Sequence, residues 1–341
     1  MSKQTSPSRE NPSAIAYWLF ACCGLVYAMI IVGAITRLTD SGLSMVEWRP
    51  LMGALPPMSD GEWTRVFELY KQSPEYMKQN FWMELSDFKT IFFWEWFHRL
   101  LGRTIGLVFA LPLLFFWVRR IIPQGYKLKL LGVFILGGLQ GLMGWYMVKS
   151  GLIDQPDVSH YRLAAHLSLA FLIMAVLVWL GLSLKPLERR SDKTLFAHGI
   201  LTLAVFIMTM FWGAYTAGLD AGLIYNETFP KMGGTWLPDD IYQYEPFWIN
   251  FFETHGGVQF THRWLAMGTA LMVLGFWGHA ALRKNMFPAL HMLAAMIFVQ
   301  FGLGMATLFS KVAIPLAALH QAGAVMVLIL LVTCLRQLKS D

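Results

Sequence analysis

The chain is poor in charge and almost without cysteine. Only 14% of its 341 residues are Asp, Glu, Lys or Arg, against 56% hydrophobic, a balance too apolar for an ordinary soluble domain. The three cysteines are Cys22, Cys23 and Cys334. All three fall in apolar runs, so no disulfide is available to the connecting loops and the thiols read as apolar filler. There is no Cys-x-x-Cys and no His-Glu-x-x-His, which excludes the common zinc patterns. An Arg-rich, acid-poor transit segment is also missing, so a bacterial cytoplasmic (inner) membrane is expected rather than an organelle. The first thirteen residues are polar. The run after them is too long for a signal h-region and has no small-residue cleavage site before Arg37, so it reads as an uncleaved signal anchor.

What is present is a series of apolar runs near bilayer length. Eight are expected to span: 14–36, 91–118, 128–148, 161–184, 195–217, 256–282, 286–309 and 314–335. The fold class is therefore an all-α polytopic membrane protein whose helices divide into four plus four, with halves 1–190 and 191–341. Arg119, Arg120, Lys127, Lys129, Lys185, Arg189, Arg190, Lys193, Arg283, Lys284, Arg336 and Lys339 fall in short loops or the C-terminus on one side. By the positive-inside rule that side, with both termini, is cytoplasmic. Glu47, Asp60, Glu62, Asp154, Asp157, Asp239, Asp240 and Glu253 fall opposite, so the formal net charge of +6 is a topological asymmetry that calls for no nucleic-acid partner. Two long outer loops, 37–90 and 218–254, carry Trp48, Trp63, Trp82, Trp236 and Trp248 among Pro and Gly, and are expected to fold back as short amphipathic pieces.

The two halves repeat one another. Gly33-Ala34-Ile35-Thr36 recurs as Gly213-Ala214-Tyr215-Thr216. The spacing between partners falls from 180 residues there through 164 (His98 to His262) and 160 (Gln140 to Gln300) to 154 (His166 to His320). Matches in the same order indicate an internal duplication with longer loops in the first copy. His98, His166, His262 and His320 lie in the outer halves of helices that all run inward, and a polar group at membrane depth needs a partner. Two neutral imidazoles on neighbouring helices suit bis-axial coordination of a haem iron; helix-bridging hydrogen-bonded histidines are the alternative. His160, His198, His255, His279 and His291 break the repeat and read as interfacial. Arg99 and Arg263, each beside a candidate ligand, suit haem propionates, with interfacial snorkelling as the plainer role. The glycine-rich stretches 137–144 and 300–304 permit close approach of a flat ring or of another helix.

The halves differ in charge: Glu95 aligns with Gln259, Arg103 with Met267 and Arg162 with Leu316. Glu95 lies one turn outward of His98 on the same helix face, where a carboxylate can reach the edge of a bound macrocycle. The asymmetry suggests one reacting half and one cofactor half.

The stretch Glu95-Trp96-Phe97-His98-Arg99-Leu100-Leu101-Gly102-Arg103, the Thr-His-Arg-Trp at 261–264 and the sequence 33–44 together resemble the haem A synthase family over almost the whole chain. The resemblance implies two pseudo-twofold related four-helix bundles that oxidise the C8 methyl of haem o to the formyl group of haem A for cytochrome c oxidase. It implies a resident haem b on His262 and His320, with His98 and His166 ligating or flanking the iron of substrate haem o or product haem A. Glu95 would then sit by the methyl, stabilising or capturing a developing cation or accepting the proton, with Arg99, Arg103, Arg162 and Arg263 as cofactor-binding cations. Haem o would arrive from a haem o synthase, an electron donor or acceptor is required, and a homo-oligomer is compatible. One departure is the lack of the outer-loop cysteine pair found in some members, which aligns this chain with the proteobacterial and mitochondrial-type branch. The other reading of the same histidines is a two-haem b-type membrane electron-transfer cytochrome. A transporter built of inverted repeats is disfavoured, because a four-helix repeat returns the chain to its starting side.

Overall fold

The structure, a computed structural model, describes residues 10–47, 52–151 and 158–340. Trp48, Asp154 and Asp157 lie outside the described residues. The described chain is helical throughout, with ten α-helices: α1 (Pro12–Leu38), α2 (Asp60–Tyr70), α3 (Leu85–Val118), α4 (Lys127–Gly151), α5 (His160–Ser183), α6 (Lys193–Gly218), α7 (Asn250–Glu253), α8 (His255–Leu282), α9 (Pro288–Phe309) and α10 (Ile314–Leu338). Eight of them, all but α2 and α7, are long and apolar enough to cross a membrane.

The spans match the apolar runs except at α3, which begins six residues before the expected 91. Ser86, Asp87 and Lys89 carry that first turn and a half beyond the apolar stretch, and Asp87 caps it by accepting from the Glu84 amide at 3.0 Å. Within α3 stands Pro112, which has no N–H to offer the carbonyl of Val108. The indole of Trp18 on α1 donates to that carbonyl at 3.0 Å instead, so a defect in one helix becomes a tie to its neighbour.

Each set of four long helices closes on itself: α1, α3, α4 and α5 contact in a ring, as do α6, α8, α9 and α10. The rings meet through α1, α5, α6 and α10. Burial follows from this: 56% of the most apolar stretch of α10 is enclosed, against 6% for α4. The peripheral helices instead expose Leu107, Leu111, Leu114 and Phe115 on α3 and Leu271 on α8, a surface that suits lipid.

Both long connections lie at one end of the bundle, called here the long-loop end. They contain the expected short pieces: α2 with a helical turn at Tyr76–Asn80 in the first, and turns at Ala221–Leu223, Asp239–Tyr242 and Phe247–Ile249 leading into α7 in the second. Corresponding corners adopt the same backbone. Asp40 and Asp220 follow α1 and α6 with φ of 47° and 51°, while Arg120 and Lys284 follow α3 and α8 with φ of 57° and 54°. At the long-loop end Arg37 crosses between the halves. It donates to Asp40 (2.7 Å), to Asp220 (2.8 Å) and to the carbonyl of Ala217 (3.0 Å).

The junction between α5 and α6 depends on Gly218. A Cβ there would stand 2.6 Å from the Cβ and 2.7 Å from the Cα of His160, and backbone cannot yield as a side chain can. Overpacking of this kind costs about 1–3 kcal/mol. Gly218→Ala is therefore expected to lower the thermal midpoint of the detergent-solubilised protein. Gly141→Ala is the control, since no described atom lies within 4 Å of its Cβ position; equal midpoints would refute this account of the junction.

Candidate functional site

Each of the four repeated histidines lies against a glycine of a neighbouring helix. A Cβ on Gly33 (α1) would stand 3.2 Å from Cε1 of His98 (α3), and one on Gly144 (α4) 3.1 Å from Cε1 of His166 (α5). In the second half the corresponding distances are 2.9 Å from Gly213 (α6) to His262 (α8) and 2.9 Å from Gly304 (α9) to His320 (α10). The same ring atom meets the missing side chain every time. The glycines are thus the complement of the imidazoles, setting how far each ring can lie back between two helices.

Hydrogen bonds fix the rings. His262 Nδ1 lies 3.0 Å from the carbonyl oxygen of Thr209, an acceptor that holds the proton on Nδ1 and leaves Nε2 free for a metal. His98 Nδ1 faces the Thr36 hydroxyl at 3.4 Å. Gln140 reaches from α4 to His166, its amide nitrogen 3.3 Å from Nδ1 and 3.1 Å from the backbone carbonyl. Gln300 repeats this from α9 to His320 at 3.2 and 3.0 Å. In both halves the glutamine Oε1 is buried with no hydrogen-bond partner among the described residues. A ligating imidazole carries its proton on Nδ1 and needs an acceptor there; this oxygen supplies it only if the amide turns and gives up its bond to the backbone carbonyl.

His262 and His320 face one another with ring centres 6.5 Å apart and planes at 83°. A first-row metal sits about 2.0–2.1 Å from an imidazole nitrogen, so two axial bonds and two half-rings need centres about 6 Å apart. The pair therefore fits an iron between its rings. His98 lies within electrostatic reach of His166. Among the described residues no three of His, Cys, Asp and Glu converge as a metal cluster, so what either half offers an iron is a pair of imidazoles.

One turn toward the long-loop end from each first histidine, Glu95 and Gln259 occupy the same place and brace the chain that follows the preceding helix. Glu95 Oε2 accepts from the Ser44 hydroxyl (2.7 Å) and the Met45 amide (2.6 Å), while Oε1 accepts from Arg99. Gln259 donates to the carbonyls of Ala221 and Ile224, both at 2.8 Å, and accepts from Arg263 at 3.0 Å. The substitution of Glu for Gln thus reverses hydrogen-bond polarity within a shared brace. Taken alone, it is not a departure from scaffold duty. Arg65 supports the first brace from α2 by holding both Glu62 (2.8 Å) and Glu47 (3.0 Å); Glu62 first, then Glu47, raise its pKa above the ordinary guanidinium value.

The arginines divide. Arg263 donates from Nη1 to the carbonyls of Thr228 and Lys231 and from Nη2 to that of Tyr225 as well as to Gln259. Only its Nε lacks a partner among the described residues, so one donor remains for a propionate. Arg99 is tied to Glu95 and reaches the Met45 carbonyl at 3.4 Å. Arg103 lies one turn further along α3. Arg162 lies one turn before His166 on α5, its guanidinium 5.0 Å from the ring centre of Tyr146.

Of the remaining histidines, four have polar partners. His198 and His279 meet across α6 and α8 with Nδ1 atoms 3.2 Å apart, and His291 accepts from the Trp277 indole at 3.2 Å. His160 sits 3.9 Å from Glu253, whose carboxylate also takes the Tyr161 hydroxyl at 2.5 Å. In the sequence Gln140, Gln300, Gly33 and Gly213 stand out only as marks of the repeat. Their recurrence at the spacing of the histidines was the available signal of a role beside them. Thr209 carried no signal, because its contact with His262 is made by backbone.

A family model described as cytochrome oxidase assembly protein, COX15-CtaA, matches residues 16–332. Among curated relatives, the heme A synthase of Rhodospirillum centenum is 47% identical, the alignment covering 99% of this chain and 92% of the relative. That of Nitrosospira multiformis is 48% identical over 92% and 90%, and that of Nitrosomonas eutropha 45% over 95% and 96%.

The glycine beds yield a direct test. Gly213→Ala and Gly304→Ala each force a methyl to 2.9 Å from a histidine ring, whereas the Cβ position of Gly302 on the same stretch has no described atom within 4 Å. The first two variants are expected to purify with less bound haem than the parent at equal protein yield, and Gly302→Ala with the parental amount. Full haem content in all three, read from the pyridine haemochrome, would deny the glycines this role.

Proposed function

Because the chain belongs to the COX15-CtaA family of cytochrome oxidase assembly proteins, we propose that it is a haem A synthase, an oxidoreductase that converts the C8 methyl group of haem o to the formyl group of haem A. The observation that carries this reading is a glycine-bedded histidine pair in each half of a chain 47% identical to a heme A synthase over 99% of its length. A two-haem electron-transfer cytochrome, the other reading of the histidines, finds no support among these relatives.

In this reading residues 191–341 hold a resident haem b between His262 and His320, and residues 1–190 receive haem o and release haem A between His98 and His166. When bound, haem b supplies a one-electron redox centre. The halves are pseudo-twofold related four-helix bundles; the matched αL corners and the two closed helix rings favour that arrangement. The Thr209 carbonyl holds the His262 proton on Nδ1, so Nε2 would be the nitrogen that binds iron, and Gln140 and Gln300 contact the second histidine of each pair. Glu95 is held by Ser44, Met45 and Arg99 one turn from His98. There it stabilises or captures positive charge developing at the substrate methyl, or takes its proton, giving up one of those hydrogen bonds to do so. Arg99, Arg103 and Arg162 supply positive charge for the substrate propionates, and the free Nε of Arg263 does so in the other half. The protein lies in the bacterial inner membrane with both termini and the basic loops cytoplasmic, accepts haem o from its synthase and passes electrons to a redox partner.

Two variant sets test the assignment. Replacing His262 or His320 with Ala is expected to lower haem b content, while His98→Ala and His166→Ala keep haem b and lose haem A formation, read by extraction of pigments after incubation with haem o. Loss of haem b alone from the His98 and His166 variants would reverse the assignment of the halves.

Glu95→Gln addresses the carboxylate. The amide has one acceptor oxygen where the carboxylate has two, so the variant surrenders either the Arg99 contact or the Ser44–Met45 brace, and haem b content must be measured alongside activity. With haem b intact, formyl product is expected to fall by about 10²–10⁴-fold, the range of a general acid–base contribution. Near-normal product would reduce Glu95 to the structural duty it shares with Gln259.

A further inference from the structure

The two halves differ in how firmly the helix bearing the first histidine is fastened to its neighbour. In the second half Thr209 on α6 is a stitch. Its hydroxyl lies 2.9 Å from the Val205 carbonyl on its own helix, 3.0 Å from the Leu265 carbonyl on α8 and 2.6 Å from the Thr269 hydroxyl on α8. Its backbone carbonyl takes His262 Nδ1 at 3.0 Å. Thr269 is buried, so this polar contact lies between the helices, away from lipid.

By the spacings of the repeat, Thr209 corresponds to Met29 and Thr269 to Ile105, so both halves of the stitch are apolar in the first copy. There the Met29 methyl fills the space beside Gly102, 3.3 Å from where a Cβ would stand, which is packing without a hydrogen bond at that level; α1 and α3 are joined above and below it, by the Thr36 hydroxyl 3.4 Å from the Trp94 carbonyl and by the Trp18 indole on the Val108 carbonyl at 3.0 Å. Support for His98 comes instead from a side chain, the Thr36 hydroxyl at 3.4 Å. That hydroxyl donates its proton to the Val32 carbonyl at 2.8 Å, so it meets His98 only as an acceptor at the outer limit of hydrogen bonding. His166 on the central helix α5, by contrast, is held by Gln140 of α4 much as His320 is held by Gln300.

We propose that the α1–α3 seam is the opening side of the first half and that His98 is the ligand that lets go, so that one macrocycle is exchanged while the Thr209–Thr269 stitch retains the other. The proposal rests on the reading of the first half as the substrate haem site. A cofactor that stays and a substrate that leaves need opposite mechanical properties from two similar bundles. The threonine pair just inward of the first histidine in one half, and Met29 and Ile105 in its place in the other, supply that difference. An axial histidine backed by a fixed carbonyl is a firmer ligand than one backed by a long contact to a hydroxyl. Thr209, Thr269 and Thr36 are positioning residues in this scheme.

The test uses the full chain carrying haem b and loaded with haem o, with transfer of each pigment to excess apomyoglobin followed by absorbance. Haem o is expected to leave and haem b to stay. Transplanting the stitch as Met29→Thr with Ile105→Thr should slow haem o transfer by on the order of 3- to 20-fold, the span of interhelical hydrogen bonds in membranes, and leave haem b unaffected. The reverse exchange, Thr209→Met with Thr269→Ile, should make haem b transferable and serves if the first variant does not assemble. Ligand identity is read separately: His98→Ala should retain haem o as a five-coordinate, carbon monoxide-binding pigment on His166, and His166→Ala should not retain it. Retention in His166→Ala with loss in His98→Ala, or unchanged transfer rates in both exchanged pairs, overturns the proposal while leaving the substrate site standing. Failure of the parent protein to bind any haem o overturns the proposed function itself.

Discussion

The site depends on one steric relation: each of the four repeated histidine rings lies where the facing helix has a glycine. Gly33, Gly144, Gly213 and Gly304 meet it at four places. The glycines set how closely each ring lies against the facing helix. In an apolar medium no water stands ready to satisfy an imidazole nitrogen, so close approach also brings Thr36, the Thr209 carbonyl, Gln140 and Gln300 within reach of the rings. Larger residues at the glycines would separate the helices and leave the rings without partners.

Glu95 and Gln259 hold corresponding places with opposite hydrogen-bond polarity. Both brace the segment after the preceding helix, and both are joined to an arginine four residues on. A carboxylate in that brace gathers donors, whereas an amide spends its donors on carbonyls. Chemistry at Glu95 would require the carboxylate to accept from a substrate while staying anchored by Ser44, Met45 or Arg99.

Much of this was legible in the sequence because membrane helices write their length into composition. The eight spans were recovered nearly to the residue, and α3 overran its apolar stretch because helix formation continues wherever a cap such as Asp87 allows. The histidine set was legible through repetition, since matched polar residues at membrane depth have few other causes. What repetition could not disclose was the direction of hydrogen bonds. Arg263 looked like a free cation beside a ligand, yet four of its donors are taken by the loop and by Gln259. The glycine beds were visible as a small-residue pattern, but their pairing with particular rings needed the helix rotations.

Arg37 is one cation shared between two acids. It stands where the repeated spacing places Ala217, and it serves both Asp40 and Asp220. A second guanidinium at position 217 would bring two cations to one spot, with mutual repulsion, and none at all would leave two carboxylates unneutralised. With a single arginine for both, the ends of α1 and α6 share one counter-charge, and neither end is neutralised without the other.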